Sequence, residues 1–439
     1  MHGVDASPTG RNKVLLLLFL ANLLNFFDRT LPAVVIEPIR LEFGLSDLQL
    51  GLLSTSFVVV YAIAGVPLGR LADTGSRRRV LAWGLATWSA FTGFAGLAWS
   101  YSSLLLIRMG VGVGEACYAP AANSLIGDLY PPHQRARAVG LFMLGLPLGL
   151  LLAFFTVGPL VQALGSWRAP FFLAAVPGLL LAVMFLRIVE PARGSADAVA
   201  MVEPVRRPIR SLLRIPTLWW IIFSGLGLNF ATYPTSSFLV PLLQRHFGLG
   251  LAEAAIHTGV IVGATGLVGL TAGGAVADRM HRASERGRLL FGAVMMVAAA
   301  AFTAAALALG ADSVAIFVSL FAVGWLACYT YYTCVYPAVQ DVVEPRLRAT
   351  AMALYFAAMY LLGGAAGPAV VGAVSDHLAH GAMLTAGAAQ LDEVHRAAGL
   401  YGAMFLVPFS LGFTAVCVFL AALTFPRDAR AMRAGQGVA

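Results

Sequence analysis

Runs of about twenty apolar residues recur along this chain, and no other feature constrains its fold as strongly, because each run is long enough to cross a hydrocarbon core as a helix. Twelve are read, approximately 14–36, 48–71, 80–99, 103–127, 138–160 and 170–188, then 218–243, 255–277, 289–309, 314–339, 349–374 and 400–425. Backbone groups in hydrocarbon must be satisfied within a helix or a closed barrel. These runs lack the ten-residue alternation of barrel strands, so the expected class is an all-α membrane protein of twelve transmembrane helices. Only 11% of the 439 residues are charged, against roughly a quarter in soluble domains. The net charge of +8 does not indicate nucleic acid, since the basic residues sit in short clusters between apolar runs. The first run is longer than a signal-peptide core and has no A-x-A site, so it is expected to be retained. Cys117, Cys328, Cys334 and Cys417 fall inside apolar runs without disulfide or metal spacing and read as small buried hydrophobes.

Arginines concentrate in alternate loops, which predicts that both termini and the long middle loop are cytoplasmic, in a multi-pass protein of the cell membrane. The middle loop, 190–216, is rich in Pro, Arg and Ala and divides the spans six and six, giving an N-terminal half 1–189 and a C-terminal half 217–439. The Arg-rich second part of that linker is expected to lie on the inner lipid surface. The halves repeat. Gly69-Arg-Leu-Ala-Asp73 after the second run returns as Gly274-Ala-Val-Ala-Asp278 after the eighth, and Asp128, Pro132 and Arg135 after the fourth align with Asp341, Pro345 and Arg348 after the tenth. Parallel half repeats belong to transporters with a substrate site near the midplane.

Two runs carry charge in their interiors. Arg108 and Glu115 in the fourth are seven residues apart, so they share a helix face about 10 Å apart along the axis. In the first run Asn22, Asn25 and Arg29 lie within about 60° of one another, with Asp28 about 100° from Arg29. Depth counting puts all four charges close enough to cluster, and fully ionised they sum to zero. Ionisable residues at that depth are a functional-site hypothesis by default. Gly110, Gly112 and Gly114 mimic a nucleotide loop but lie inside a spanning helix, where small residues serve close packing. Run seven offers Asn229, Thr232, Tyr233, Ser236 and Ser237 around Pro234, which is expected to break the helix locally, and run ten offers Tyr329, Tyr331, Tyr332 and Tyr336. As a group these suit a cavity for a polar head and an apolar tail. His377, His380 and His395 read as an outer loop without a metal framework.

Gly69-Arg-Leu-Ala-Asp73-Thr-Gly75-Ser-Arg77-Arg78-Arg79 resembles the inner-loop signature of the major facilitator superfamily, with Thr74 where that family often has Arg or Lys. The resemblance implies the twelve-helix major facilitator fold and a cytoplasmic gate at Gly69, Asp73, Arg77, Arg78, Asp278 and Arg279. Asp28-Arg29, the stretch Gly112-Val-Gly114-Glu115-Ala-Cys117-Tyr118 and Gly145-Leu-Pro147-Leu-Gly149 resemble the spinster family within it. That resemblance implies proton-coupled transport of lysophospholipid or sphingosine phosphate, and carries Glu115, Arg108 and Asp28 into the binding region.

The expectation is a transporter, not an enzyme, that moves a small amphiphile or organic anion by alternating access. Glu115 and Asp28 are assigned to proton coupling, and Arg108, Arg29, Asn25, Tyr118, Asn229, Tyr233 and Tyr332 to the substrate. Protonation of Glu115 is expected to release Arg108 for an anionic head group. No cofactor is called beyond the proton, no metal and no nucleic acid, and the expected partners are the substrate and membrane lipids around a monomer. The alternatives are a pH-independent facilitator, a drug or metabolite efflux carrier, and a non-transporting receptor.

Overall fold

The computed structural model describes residues 8–192, 211–309, 312–344 and 347–436. Its long helices are α1 Gly10–Val34, α2 Asp47–Ala72, α3 Arg77–Ala95, α4 Tyr101–Leu129, α5 Arg137–Leu164 and α6 Ala169–Leu186. After the linker come α7 Pro216–Phe247, α8 Leu251–Ala283, α9 Gly287–Leu309, α10 Val314–Val342, α11 Thr350–Thr385 and α12 Glu393–Arg433. Ten are both long and apolar enough to span a membrane on their own composition. The remaining two are diluted, α3 by three arginines in its first turn and α7 by its Asn, Thr and Ser residues. Together they make the twelve-helix architecture of two six-helix halves. The expected surface-lying second part of the linker falls largely outside the described residues.

Helix ends follow local chemistry. Left-handed Gly44, Gly165 and Gly248 stop the helices before them, a conformation that costs glycine nothing. Ser76 caps α3, and Ser100 closes a capping box with Ser103 at the start of α4. α7 continues as a helix through Pro234, contrary to the expected local break. The Phe230 carbonyl four residues back, which proline leaves without its helical donor, is covered by Gly367 of α11 at close range. His377 and His380 belong to α11 and His395 to the first turn of α12, so the expected histidine loop is helical. All four cysteines are free and buried.

Contacts divide the chain into two compact units. The first holds α1, α2 from Ser56 onward, α3 to α6, and Leu251–Gly259 at the start of α8. Within it α1 packs on α5, α3 on α4 and α6, and the start of α8 on α5. The second holds Ser46–Thr55 at the start of α2, α7, α8 from Val260, and α9 to α12. There α9 packs on α10 and α12, α7 on α12, and α11 on the beginning of α12. Two π turns interrupt the regular ladder, Val260–Ala264 in α8 and Met359–Gly364 in α11. The hydroxyl of Tyr329 donates to the Val262 carbonyl inside the first of them.

The close helix pairs rest on glycine. A Cβ at Gly149 of α5 would stand 2.3 Å from the Leu23 carbonyl of α1, and one at Gly114 of α4 would stand 2.6 Å from the Trp88 amide nitrogen of α3. Backbone cannot yield that far without separating the helices. Gly140, on the same helix as Gly149, faces open space. Gly149→Val should therefore lower the melting temperature of the purified protein by several degrees, a cost of about 1–3 kcal/mol, whereas Gly140→Ala should not lower it. Equal melting of the two variants in thermal denaturation would contradict this account of the α1–α5 contact.

Candidate functional site

The first unit brings the four intramembrane charges together. Arg29 Nε of α1 donates to Glu115 Oε2 of α4 at 2.5 Å. Glu115 and Asp28 are 1% exposed and Arg108 6%, while the Arg29 side chain keeps 18%. Arg108 lies within electrostatic reach of both carboxylates and of Arg29. It is not the hydrogen-bonded partner of Glu115, a place that Arg29 takes. The Arg108 guanidinium instead stacks over Phe57 of α2 at 4.8 Å. Arg29 stands over three rings, Tyr61 at 4.5 Å and Phe26 and Phe57 at 5.3 Å each. Phe57 thus lies under both cations, and the flat, weakly hydrated guanidinium suits such a cage. Gly112 makes room for it, since a Cβ there would meet the Phe57 carbonyl at 3.0 Å.

The two acids are unequally served. Glu115 Oε1 has no hydrogen-bond partner among the described residues, and Asn25 lies beside Glu115 without a well-formed hydrogen bond to it. Asp28 Oδ2 accepts a long 3.4 Å bond from Thr92 of α3, and Asp28 Oδ1 accepts none among the described residues. An acceptor left open in a buried site is costly when charged and is satisfied by a proton. Asn22 works structurally, donating from Nδ2 to the Phe142 carbonyl of α5 at 2.9 Å. Tyr118 is 2% exposed, packs edge-on to Trp88 at 5.4 Å and donates its hydroxyl to the Leu18 carbonyl, so it fastens α4 to α1. Helix α4 breaks at Cys117, between Glu115 and Tyr118.

The second unit assembles the aromatic group. Tyr332 and Tyr336 of α10 stand 5.4 Å apart, Tyr336 meets Phe356 of α11 at 5.5 Å, and Tyr233 of α7 meets Tyr360 at 6.2 Å. These five are partly exposed. Behind them Tyr331 and Tyr355 are fully buried in a hydroxyl chain, Ser224 to Tyr331 at 2.7 Å and Tyr331 to Tyr355 at 3.0 Å. Asn229 is 2% exposed, and its Nδ2 has no partner among the described residues. Tyr355, Phe356 and Tyr360, which sequence reasoning missed, come from the Y-F-A-A-M-Y stretch entering the π turn of α11. Their spacing of one and five residues places them on one side of that helix.

The repeated Arg-rich ends form matching ion pairs. Arg77, 1% exposed, donates to Asp128, to Glu190 Oε1 at 3.0 Å and to the Pro191 carbonyl at 2.7 Å. Glu190 also accepts from Ser76 at 2.6 Å and from the Arg77 amide at 2.9 Å. In the second unit Arg288 reaches Asp341 at 3.2 Å and Asp278 at 3.3 Å. Arg288, not the exposed Arg279, therefore occupies the place that Arg77 holds in the first half. Arg78 donates to the Ile188 carbonyl at 3.4 Å. Asp73 stands near the end of α2, its side chain outside the described residues. Gly69 and Gly274 do not require glycine by contact, since a Cβ would meet Pro120 at 3.9 Å and Thr333 at 3.6 Å, ordinary van der Waals distances.

A further buried cluster went unread. Asp47, 1% exposed at the start of α2, accepts from Arg245 of α7 at 2.8 and 3.0 Å and from the Ser375 hydroxyl of α11 at 2.6 Å. Asp376 receives the Asp47 and Leu48 amides at 3.0 and 2.9 Å, so a neighbouring helix caps α2. Two turns on, Thr55 donates to the Ala365 carbonyl at 2.5 Å, and Ser54 pairs with Ser237 at 3.0 Å. All of these residues lie in the second unit.

The family model described as Major Facilitator Superfamily matches residues 18–368. An MFS-type efflux pump of Mycolicibacterium smegmatis is 31% identical over 414 residues, 94% of this chain and 92% of the relative. Protein spinster homolog 1 of Xenopus laevis is 31% identical over 394 residues, 84% of this chain and 73% of the relative. A crystal structure of a bacterial homolog to the human lysosomal transporter Spinster, in an inward-facing and unoccupied conformation, superimposes with a TM-score of 0.86 at 29% identity, covering 96% of this chain and 99% of that one.

Two outcomes follow from the clusters. Arg245→Ala strands Asp47 as an unpaired buried charge and should destabilise the protein by about 3–5 kcal/mol, whereas Arg430→Ala, which breaks an exposed pair with Glu285, should leave thermal melting unchanged. Burial raises Glu190, but hydrogen bonds from Ser76, Arg77 and the Arg77 and Arg78 amides outweigh it and hold the carboxyl below the usual glutamate range. A lowered folded value adds stability above the unfolded value of about 4.3, and that stability is lost as pH falls through the folded one. The melting advantage of wild type over Glu190→Gln should be full at neutral pH and shrink on acidification below that range. An advantage that grows on acidification would refute this assignment.

Proposed function

We propose, for a chain that belongs to the major facilitator superfamily and is spinster-like, that it couples proton movement to the transport of a small anionic amphiphile. The chain is a multi-pass membrane transporter of a small-molecule substrate. The observation that carries the finer reading is the buried Arg29–Glu115 pair, whose carboxylate keeps one oxygen that accepts no hydrogen bond among the described residues, next to Asp28 and Arg108. With all four groups ionised the cluster is neutral, the least costly state of a low-dielectric site. A proton on Glu115 removes the counter-charge of Arg29 and leaves the cluster with one net positive charge. Arg29, more open than the other three and held over its three rings, then offers a head-group site for an anion, with Arg108 adding to the field. Loss of the proton restores the pair and expels the anion. Asp28 stands beside this exchange as the second proton acceptor.

The remaining assignments follow the same reading. Asn25 lies by the pair as a polar contact to the head group. Within the second unit, Tyr233 and Tyr332, with Asn229, form an amphipathic surface that suits the apolar part of an amphiphile. The Arg77 and Arg288 clusters act as gate parts on the cytoplasmic side, with both termini cytoplasmic in the cell membrane and the monomer as the working unit. The spinster resemblance supports lysolipid or sphingoid phosphate as the substrate class, with the proton as the coupling ion. The efflux-pump name of the mycolicibacterial relative supports a second reading, export of a drug or metabolite through the same site.

Thermal shift across lysolipids, sphingoid phosphates, organic acids and drugs selects the probe compound. In proteoliposomes with an imposed pH gradient, wild type should accumulate that probe. Glu115→Gln should lose gradient-driven accumulation and bind the probe with an affinity that no longer varies with pH. Accumulation by the Gln variant at the wild-type level would remove Glu115 from coupling, and indifference of wild type to the gradient would leave a facilitator.

A further inference from the structure

A groove of about 530 Å³ opens between the N-terminal parts of α1 and α5, from Arg11 to Phe19 on one side and Arg137 to Leu148 on the other, wholly within the first unit. Its two ends differ in chemistry. At one end lie Arg11 and Arg137 with Tyr130, and along the rest run apolar side chains including Phe19, Leu141 and Leu148. Among the described residues that line it there is no carboxylate, and neither guanidinium has an acidic partner. The cationic end is nevertheless organised. The Arg11 guanidinium lies 4.6 Å over the Tyr130 ring, and the Tyr130 hydroxyl donates to Asn12 Oδ1 at 3.1 Å. Arg11 Nε is buried with no hydrogen-bond partner among the described residues, a donor left open inside the groove. The apolar wall is long. From Arg137 to Leu148 is about 16 Å at 1.5 Å per residue, and Arg29 of the central cluster stands about 27 Å beyond Arg11 along α1. The groove is therefore a separate feature, and nothing in it depends on how Glu115 acts.

We infer that this groove holds an anionic phospholipid of the surrounding bilayer, its phosphate on Arg11 and Arg137 and one acyl chain along Phe19, Leu141 and Leu148. Charge complementarity selects the occupant. Two cations at the helix ends, without an acidic partner among the described residues, sit at head-group level, and the apolar stretch beyond them sits at chain level. Basic pockets between transmembrane helices take anionic head groups for this reason. A soluble phosphate would satisfy the arginines and leave the apolar wall uncovered, while a zwitterionic lipid would bring a third cation to a site that already has two.

The test is lipid retention by the full-length protein in detergent, read by native mass spectrometry after exchange with phosphatidylglycerol or phosphatidylcholine of equal chain length. Wild type should retain one phosphatidylglycerol several-fold better than phosphatidylcholine, and inorganic phosphate should neither displace it nor give its thermal shift. Arg11→Gln with Arg137→Gln should abolish the preference, and Leu141→Trp, which fills the chain part without touching charge, should reduce retention of both lipids. Equal retention of the two lipids by wild type would overturn the proposal without recourse to any variant. Displacement by inorganic phosphate would overturn it in favour of a phosphate site, and an unchanged preference in a folded double variant would move the lipid elsewhere.

Discussion

Hydrocarbon does not solvate charge, and the Arg29–Glu115 contact is how this protein meets that constraint in its interior. Each ion alone would cost several kcal/mol to bury. The surrounding architecture serves the pair: α1 brings Arg29 and Asp28, α4 brings Glu115 and Arg108, α3 offers Thr92, and α2 lays Phe57 beneath both guanidinium groups. The glycines of α4 meet backbone and rings of α2 and α3, not the charged groups. Gly112 lets α2 approach closely enough for Phe57 to lie beneath the cations, and Gly114 lets α3 pack against α4 at Trp88. Packing and electrostatics are thus one problem here, and a side chain added at Gly112 or Gly114 would disturb the charges without contacting them.

The same pattern is used twice where the Arg-rich turns emerge, with different depth. Arg77 is nearly inaccessible and ties Asp128, Glu190 and a linker carbonyl into one knot. Arg288 makes the matching contact to Asp341 but is more exposed, and its second partner Asp278 is two-thirds exposed. A buried ion pair of good geometry is a rigid joint, whereas exposed pairs contribute little and exchange readily. The repeat in sequence therefore produces two joints of one design and unequal stiffness.

Much of this was legible in the residues. Helix number followed from run length, because hydrocarbon thickness and helix rise leave little freedom. The coincidence of Asp28, Arg29, Arg108 and Glu115 followed from depth counting. Which arginine meets Glu115 did not, since a shared face on one helix says nothing of a neighbour's rotation, and Arg29 on α1 reaches the carboxylate first. Phe57 and Tyr61 read as ordinary apolar residues until α2 was placed. The Asp47 cluster was hidden for a different reason: its partners Arg245, Ser375 and Asp376 are up to 329 residues away, and each looks like a polar residue at a helix end. Pro234 misled because a missing hydrogen bond need not break a helix when a glycine of another helix covers the gap.

The π turns of α8 and α11 have a geometric consequence. A π turn absorbs an inserted residue within an otherwise α-helical ladder, so, counted along the sequence, it sets back the angular phase of everything after it by about 100°. α8 and α11 each have two angular origins, one before and one after the insertion, and no single helical wheel describes either. Tyr355 and Phe356 are read on the first phase of α11, Pro368 and Ser375 on the second. Deleting one residue between Met359 and Gly364 would remove the insertion and restore one regular α ladder, leaving both faces where they stand and abolishing only the turn between them.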